Sequence, residues 1–497
     1  MDAKSNTLAV SQNELTVSWE MAVPPLKPRM THIWDQSLEK DGVIDGQILP
    51  GDRDITAALD WSPRTLAVLR LAFAQRLDRY QGWSGESLSS SYLRPLAEAA
   101  AVYKRGVAYR PDAFREPSHK MVKGSYRIQK KDAQERVSLD QGFILVDKNL
   151  WDLWKDREDC PIQWDSNQAV MMLWDSQETT KNLDSVGMIL KQWRHWKEKR
   201  PSLTQWYVVG GGILGDLGGF CAGLVGQPVT FVPTTLLAMV DACVGGKTGV
   251  NFEPYGKNQV GLFYFPQDVW IWPLWLETLP ERQWRSGAVE CFKHGLLQND
   301  PQKVTRIAEM GAQRDLSTLD SQLLRLIEIK ASLVAQDPAE TGARALLNLG
   351  HTLGHALETL SQLGAQSSQD HLLHGEAVGL GLIFALLLSQ KKGGMPPDEA
   401  ELGLVGLQGL LDWGRSMSVE RLGSLLQGVF LEDPGLWVRL KMLMGADKKN
   451  VGTAIRWVLL EGLGRPYQPV PDVWTTPVEE RMLEETWQDF VEFLKAF

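Results

Sequence analysis

The rhythm of apolar and polar positions changes along the chain. From about residue 123 to 280, short apolar runs alternate with amphipathic ones. GFILVD (142–147), AVMMLWD (169–175), QWYVV (205–209) and VTFVPTT (229–235) read as strands, and ETTKNLDSVGMILKQWRHW has helical periodicity. Strands alternating with helices predict parallel βαβ units. After about 280 the period is almost wholly helical: ERQWRSGAVECFKHGLL, SQLLRLIEIKASLVAQ, ARALLNLGHTLGHALETL and HGEAVGLGLIFALLLSQ follow one another. The pattern predicts an α/β domain over 123–280 and an all-helical domain over 281–497. A cleft between two such domains is a common place for a ligand. Residues 1–122 carry no chemical motif. TLAVLRLAFAQRL (65–77) and LRPLAEAAAVY (93–103) predict helices on either side of a polar loop, so this part reads as a mostly helical extension.

A chain of 497 residues is too long for one small core and suggests two or three domains. The net charge of -9 argues against nucleic acid as the partner, because phosphate-binding surfaces are basic. Cys160, Cys221, Cys243 and Cys291 have no C-x-x-C spacing, which fits a reducing compartment and gives no zinc ribbon. MDAKSNTLAV lacks the charged-then-apolar form of a signal peptide, and the longest apolar run, VGLGLIFALLL (378–388), is too short to span a bilayer. The expectation is a cytoplasmic protein with no membrane and no nucleic-acid partner.

YVVGGGILGDLGGF sets glycines just after a strand and at the start of a helix. Gly210, Gly212 and Gly215 fit G-x-G-x-x-G, which lets a backbone approach a pyrophosphate at a helix N-terminus. The bland reading is a close strand–helix crossing. The usual dinucleotide fingerprint also needs an acid at the end of the next strand, and GQPVTFVPTT has none. DACVGGKTGVN fails as a nucleotide P-loop because Asp241 stands where a glycine is required. It remains a glycine-rich loop carrying Lys247 and Thr248. YGKNQVG adds Lys257 and Asn258 in a second polar loop.

Helical spacing from Arg344 picks out Asn348, His351, His355 and Glu358 as a polar stripe among leucines. A solvated face would carry lysine and glutamate there. Two histidines at i, i+4 can share a metal, or they can be ordinary hydrogen-bonded histidines. His374 in LLHGEAV, with Arg344 and Asn348, favours a site. An anionic ligand is available in GAVECFKHG, where Glu290 precedes Lys293 by one turn, a spacing that also suits a surface ion pair. The absence of H-E-x-x-H argues against a zinc peptidase.

Taken in order, GGGILGDLGGF, VPTTLLAMVDACVGGKTGVN, GKNQVGLFY, LETLP, SGAVECFKHG, ETGARALLNLGHTLGHALE, LLHGEAV and DKK make residues from about 123 to 470 resemble the 3-dehydroquinate synthases, sugar phosphate cyclases of the shikimate pathway. The resemblance implies an NAD-binding, Rossmann-like α/β domain followed by a helical metal-binding domain. It implies Glu290, His351 and His374 as ligands of a divalent metal, usually zinc, with cobalt as the alternative. Asp147, Asn149, Glu178, Lys181, Gly211, Gly212, Asp216, Thr234, Thr235 and Lys257 would lie at NAD. Asp241, Lys247, Asn258, Lys293, Lys330, Arg344, Asn348, His355 and Lys448 would line the substrate, with His355, Lys247, Lys293, Arg344 and Asn348 nearest the chemistry. His355 is then an acid/base residue, in place of the shared-metal reading of the helix pair. The implied substrate is 3-deoxy-D-arabino-heptulosonate 7-phosphate. The implied reaction is transient oxidation by NAD, loss of phosphate, re-reduction, and intramolecular aldol closure to 3-dehydroquinate. A homodimer is the implied assembly.

Two features depart from the family. The segment CAGLVGQPVTF carries no arginine or lysine where the family usually has an arginine for the substrate phosphate. The family domain also has no need of residues 1–122. Three other readings stand beside the leading one: a cyclase for sedoheptulose 7-phosphate or a hexose phosphate, a metal-dependent polyol dehydrogenase that releases NADH, and a non-catalytic homologue kept for binding.

Overall fold

The computed structural model describes residues 7–23, 43–44, 47–48, 120–164, 169–252, 256–363, 371–426, 431–445 and 455–496. Two compact units result: Met1–Thr234 with Gly245–Trp272, and Thr235–Val244 with Pro273–Phe497.

The first unit is organised by an eight-stranded sheet. Its strands are β1 (Thr7–Val10), β2 (Glu14–Val23), β3 (Lys120–Lys130), β4 (Gly142–Asp147), β5 (Val170–Trp174), β6 (Gln205–Gly210), β7 (Val229–Pro233) and, after a separate hairpin, β10 (Asp268–Ile271). The order is β1-β2-β3-β10-β7-β6-β4-β5. From β3 to β5 every neighbouring pair is parallel. The buried runs FILV and VTFVP have no polar alternation because parallel strands are covered on both faces. Helices α1 (Lys148–Trp154), α2 (Leu183–Lys199) and α3 (Gly212–Val225) link these strands.

Two local expectations change here. Within the stretch read as a mostly helical extension, Thr7–Val10 and Glu14–Val23 are strands: β2 pairs antiparallel with β3 over its whole length, from Glu14↔Gln129 to Val23↔Lys120. Leu15 and Val17 are buried and alternate with the partly exposed Thr16 and Ser18, a period of two. The helices expected at 65–77 and 93–103 lie outside the described residues. The polar loops expected around Lys247 and Lys257 are instead β8 (Lys247–Phe252) and β9 (Gly256–Phe263), an antiparallel hairpin. Glycines within them gave the look of loops, and those glycines have a steric reason. A Cβ on Gly261 would lie 2.5 Å from the Thr248 carbonyl oxygen.

The second unit is helical. Its helices are α4 (Glu281–Leu296), α5 (Pro301–Gln313), α6 (Leu316–Gln336), α7 (His351–Gln362), α8 (His374–Leu388) and α9 (Pro397–Leu411), with shorter or later ones at Val419–Leu425, Pro434–Gly445 and Glu480–Lys495. Helix α8 holds the longest apolar run and is buried nearly throughout, so it needs no polar face. No described helix is long and apolar enough to cross a membrane. Where α8 passes α7, a Cβ on Gly381 would lie 1.9 Å from the Gly350 carbonyl oxygen. The backbones therefore touch, and only glycine fits.

The expected continuous helix over 344–358 is two elements. Ala343–Asn348 is a 3-10 turn, Gly350 takes φ 77°, and α7 starts at His351. That left-handed glycine is what breaks the stripe.

Candidate functional site

In the second unit, α4 supplies Glu290, α7 supplies His351, and α8 begins with His374. One ligand atom from each lies within 4.8 Å of the others. Nε2 of His374 is 3.4 Å from Oε1 of Glu290, and Nε2 of His351 is 3.7 Å from it. The far side of each ring is occupied. Nδ1 of His351 faces the Leu349 carbonyl oxygen at 3.1 Å, and Nδ1 of His374 faces Oε2 of Glu358 at 3.3 Å. A carbonyl or carboxylate oxygen only accepts, so both Nδ1 atoms carry hydrogen. The neutral rings then turn Nε2 lone pairs toward a carboxylate oxygen. Such a face-off requires a cation in the middle, either a proton or a metal.

The electrostatics agree. Glu290 is fully buried, and neither oxygen has a hydrogen-bond donor of normal geometry among the described residues. Burial pushes its pKa up, but the Lys293 ammonium, 2.5 Å from Oε2, and His374 together overcome burial and hold it at about 2. Burial pulls His374 down, but Glu358 and Glu290 overcome this and raise it to about 10. Without a metal a proton fills the gap. A buried carboxylate with two imidazoles oriented from behind is a donor set that suits a tetrahedral divalent metal with an open position.

A cationic cluster adjoins this set. Lys330 Nζ lies 2.8 Å from Asp241 Oδ1 and donates to the Asp241 carbonyl oxygen at 2.7 Å. Lys293 and His294 approach Asp241 at 3.9 Å each. Burial raises the Asp241 pKa, but Lys330, Lys293 and His294 together hold it well below the usual carboxylate range. Burial, opposed by Asp241, lowers Lys330. Burial and Lys293 lower His294 to about 4. Asp241 reaches this cluster because Thr235–Val244 belongs to the helical unit, with a π turn at Ala238–Ala242. Arg344 is buried, with Nη1 donating to the Pro338 carbonyl oxygen at 2.8 Å. Asn348 donates to Glu340 Oε1 at 3.1 Å. The His355 ring is 5.1 Å from His351 and 6.0 Å from His374, centre to centre. Lys448 lies outside the described residues.

In the first unit, Asp147, Gly211, Gly212 and Thr234 lie at the carboxyl ends of β4, β6 and β7. Register pairs Val146 with Val209 and Gly210 with Pro233. Asp147 ends β4 and accepts the Leu150 N–H at 3.0 Å as the cap of α1, which places Asn149 in its first turn. Thr234 N–H donates to the Gly210 carbonyl oxygen at 3.0 Å. Gly211 caps α3 without a side chain, and α3 starts at Gly212. Its first amides have no partner within the helix, which suits an anion. Asp216, on the same helix, accepts from buried Lys181 at 2.5 Å. Glu178 accepts from Asn251 at 2.7 Å and meets Lys257 at 3.5 Å. Asn258 adopts φ 51° and its N–H donates to Asn251 Oδ1 at 2.9 Å. Lys247 begins β8 and is exposed. Thr235 belongs to the other unit, where its hydroxyl accepts the Ala238 N–H at 3.2 Å. The arginine-free segment has no loop to hold a cation. Helix α3 turns into β7 through Gly226 at φ 64°, and Gln227 N–H returns to the Ala222 carbonyl oxygen at 3.0 Å.

Sequence reasoning missed three members. Glu358 was in the polar stripe but had no role, although its spacing put it one turn beyond His355. His294 follows Lys293 directly, and its fully buried Nε2 has no hydrogen-bond partner among the described residues. Asn251 closes DACVGGKTGVN and ties Glu178 to Asn258.

Residues 171–286 match the 3-dehydroquinate synthase N-terminal family description, and residues 287–412 match its C-terminal one. The 3-dehydroquinate synthase of Wolinella succinogenes is 38% identical over 289 residues, 58% of this chain and 76% of that protein. That of Nitrosospira multiformis is 41% identical over 295 residues, 58% of this chain and 73% of that protein. Among solved structures, 2-deoxy-scyllo-inosose synthase complexed with carbaglucose-6-phosphate, NAD+ and Co2+ shares the fold, with a TM-score of 0.59 at 21% identity over 74% of this chain and 97% of that one. So does 2-epi-5-epi-valiolone synthase from Streptomyces hygroscopicus subsp. jinggangensis 5008 with NAD+ and Zn2+ bound, with a TM-score of 0.54 at 20% identity over 76% of this chain and 99% of that one. With more than two thirds of its relatives' length matched at these identities, the chain belongs to the 3-dehydroquinate synthase family.

Proposed function

We propose that this chain is a 3-dehydroquinate synthase, taking 3-deoxy-D-arabino-heptulosonate 7-phosphate to 3-dehydroquinate and inorganic phosphate. The observation that carries the reading is the meeting of Glu290, His351 and His374 beside a buried cluster of Lys293, Lys330 and Asp241. Glu290, His351 and His374 would hold a divalent metal, zinc or cobalt. Asp147, Asn149, Glu178, Lys181, Gly211, Gly212, Asp216, Thr234, Thr235 and Lys257 would hold NAD. When bound, NAD supplies a hydride acceptor that is restored in each turnover, and the metal supplies a Lewis acid for a substrate hydroxyl.

The remaining chemistry falls to the chain's own side chains. A substrate bearing a carboxylate, a phosphate and several hydroxyls needs cations and mixed donors at fixed positions. Lys293, Lys330 and Arg344 are buried cations whose partners hold them in place. Asn348 and Asp241 add a donor and an acceptor, and Lys247, Asn258 and Lys448 are further substrate contacts. His355 is half-buried beside two other imidazoles and moves a proton near neutral pH. The setting is the cytoplasm and the assembly a homodimer, which light scattering at working concentration checks.

The test is phosphate release by the purified protein with NAD and zinc. The heptulosonate phosphate and sedoheptulose 7-phosphate are offered in parallel. Release from the first, with 3-dehydroquinate formed and no NADH accumulating, is expected. Release from sedoheptulose 7-phosphate alone moves the chain to another cyclase activity. NADH accumulating without phosphate release makes it a dehydrogenase.

A further inference from the structure

Three residues on successive turns of α4 meet three consecutive residues at the start of α8. Arg282, Ser286 and Glu290 are spaced i, i+4, i+8 and share one face of the helix. Glu290 faces His374, with Oε1 3.4 Å from Nε2. The Ser286 hydroxyl accepts the Gly375 N–H at 2.9 Å. Arg282 grips the Glu376 carboxylate with both ends of its fork, Nε to Oε1 at 2.6 Å and Nη2 to Oε2 at 2.7 Å.

The outermost rung does more than pair charges. Oε2 of Glu376 also accepts the Leu373 N–H at 2.7 Å, which caps α8. Nη2 of Arg282 also donates to the His371 carbonyl oxygen at 2.6 Å. One guanidinium therefore fixes both the first turn of α8 and the backbone that leads into it, and His374 lies between those two anchor points. The middle rung sets the spacing. A Cβ on Gly375 would lie 2.0 Å from the Ser286 carbonyl oxygen, so the helices are in backbone contact there. Arg282 stands roughly 12 Å along the helix from Glu290 at 1.5 Å per residue, too far to be a ligand itself.

We propose that Arg282, acting through Glu376, is a positioning residue that sets where His374 stands relative to Glu290 and so sets the geometry of the metal centre. The proposal rests on the metal-binding reading above. Its logic is that of an outer partner that orients a ligand: losing such a partner costs about 10–100-fold in metal affinity. A bidentate guanidinium–carboxylate pair also fixes an angle, which a lysine ammonium does not.

The test uses the full chain loaded with Co2+ alone, read by its visible ligand-field absorption and by competition with a chelator. Arg282→Gln is expected to weaken Co2+ binding about 10–100-fold and to change the shape of the spectrum. Arg282→Lys keeps the charge but not the fork, so it is expected to fall between Gln and the wild type. Spectra that superimpose on the wild type, with affinities within about twofold for both variants, would overturn the proposal. If Arg282→Gln does not fold, Arg282→Lys decides by the same two readouts. A failure of the metal reading looks different: wild-type protein would bind no Co2+, or His351→Ala would bind it unchanged.

Discussion

Glu358 places Oε2 3.3 Å from Nδ1 of His374, on the side of the ring opposite Glu290. The carboxylate fixes the tautomer that leaves Nε2 free to bind, and it makes the ring more basic. Glu358→Ala is expected to weaken zinc or cobalt binding about 10–100-fold. Glu358→Gln, which keeps an acceptor but no charge, is expected to lose less. Chelator competition measures both. Unchanged affinity in the alanine variant would show that the contact does not orient His374.

The same contact gives the metal site a pH dependence. In the metal-free protein His374 is raised from 6.5 to about 10, so below that pH a metal must displace a proton. Metal affinity is expected to rise tenfold per pH unit across the neutral range, a slope of one proton, and to level off near pH 10. Metal-free stability follows with fixed signs. The raised His374 contributes in full below about 6.5 and loses its contribution as pH climbs through about 10. Glu290, lowered from 4.5 to about 2, contributes above 4.5 and loses its contribution as pH falls through about 2. Competition titrations at several pH values check the slope, and a flat profile contradicts it.

What the sequence showed and hid follows from the range of each interaction. The apolar runs 142–147, 205–209 and 229–233 were legible because central parallel strands are covered on both faces, so few of their positions are polar. The hairpin at Lys247–Phe263 was not, because glycines needed for backbone contact mimic a loop. The histidine stripe was legible as chemistry but misread as one helix, since a single left-handed Gly350 resets the phase. Glu290 next to Lys293 read equally well as a surface ion pair. Only the packing of α4 against α8, residues far apart in sequence, distinguishes the two.

Buried Lys181 and partly exposed Asp216 make an ion pair at 2.5 Å beside the glycine turn. Removing one member leaves the other charge without its partner. Asp216→Ala therefore strands the Lys181 ammonium, which is 4% exposed. The loss of a charged hydrogen bond is about 1.5–3 kcal/mol. If Asp216 also contacts NAD, the dissociation constant for NAD rises about 10–100-fold, measured by titration of the metal-loaded protein. A variant that melts lower yet binds NAD normally would restrict Asp216 to a structural role.

Residues 24–119 join two strands that are paired up to their ends, Val23 against Lys120. The segment therefore enters and leaves the sheet at adjacent points. Antiparallel neighbours can be joined by two residues in a type I′ turn, for which Asn-Gly is the preferred pair. Closing a shorter loop costs less chain entropy, about 0.6 kcal/mol for each halving. The described contacts of β2 with β3 are all retained in such a chain. Replacing 24–119 by Asn-Gly is expected to give a folded protein that binds NAD and metal as the full chain does and melts at the same temperature or higher. Thermal melts with and without NAD check this. A chain that expresses only as aggregate, or that melts far lower, would show that the sheet depends on that segment.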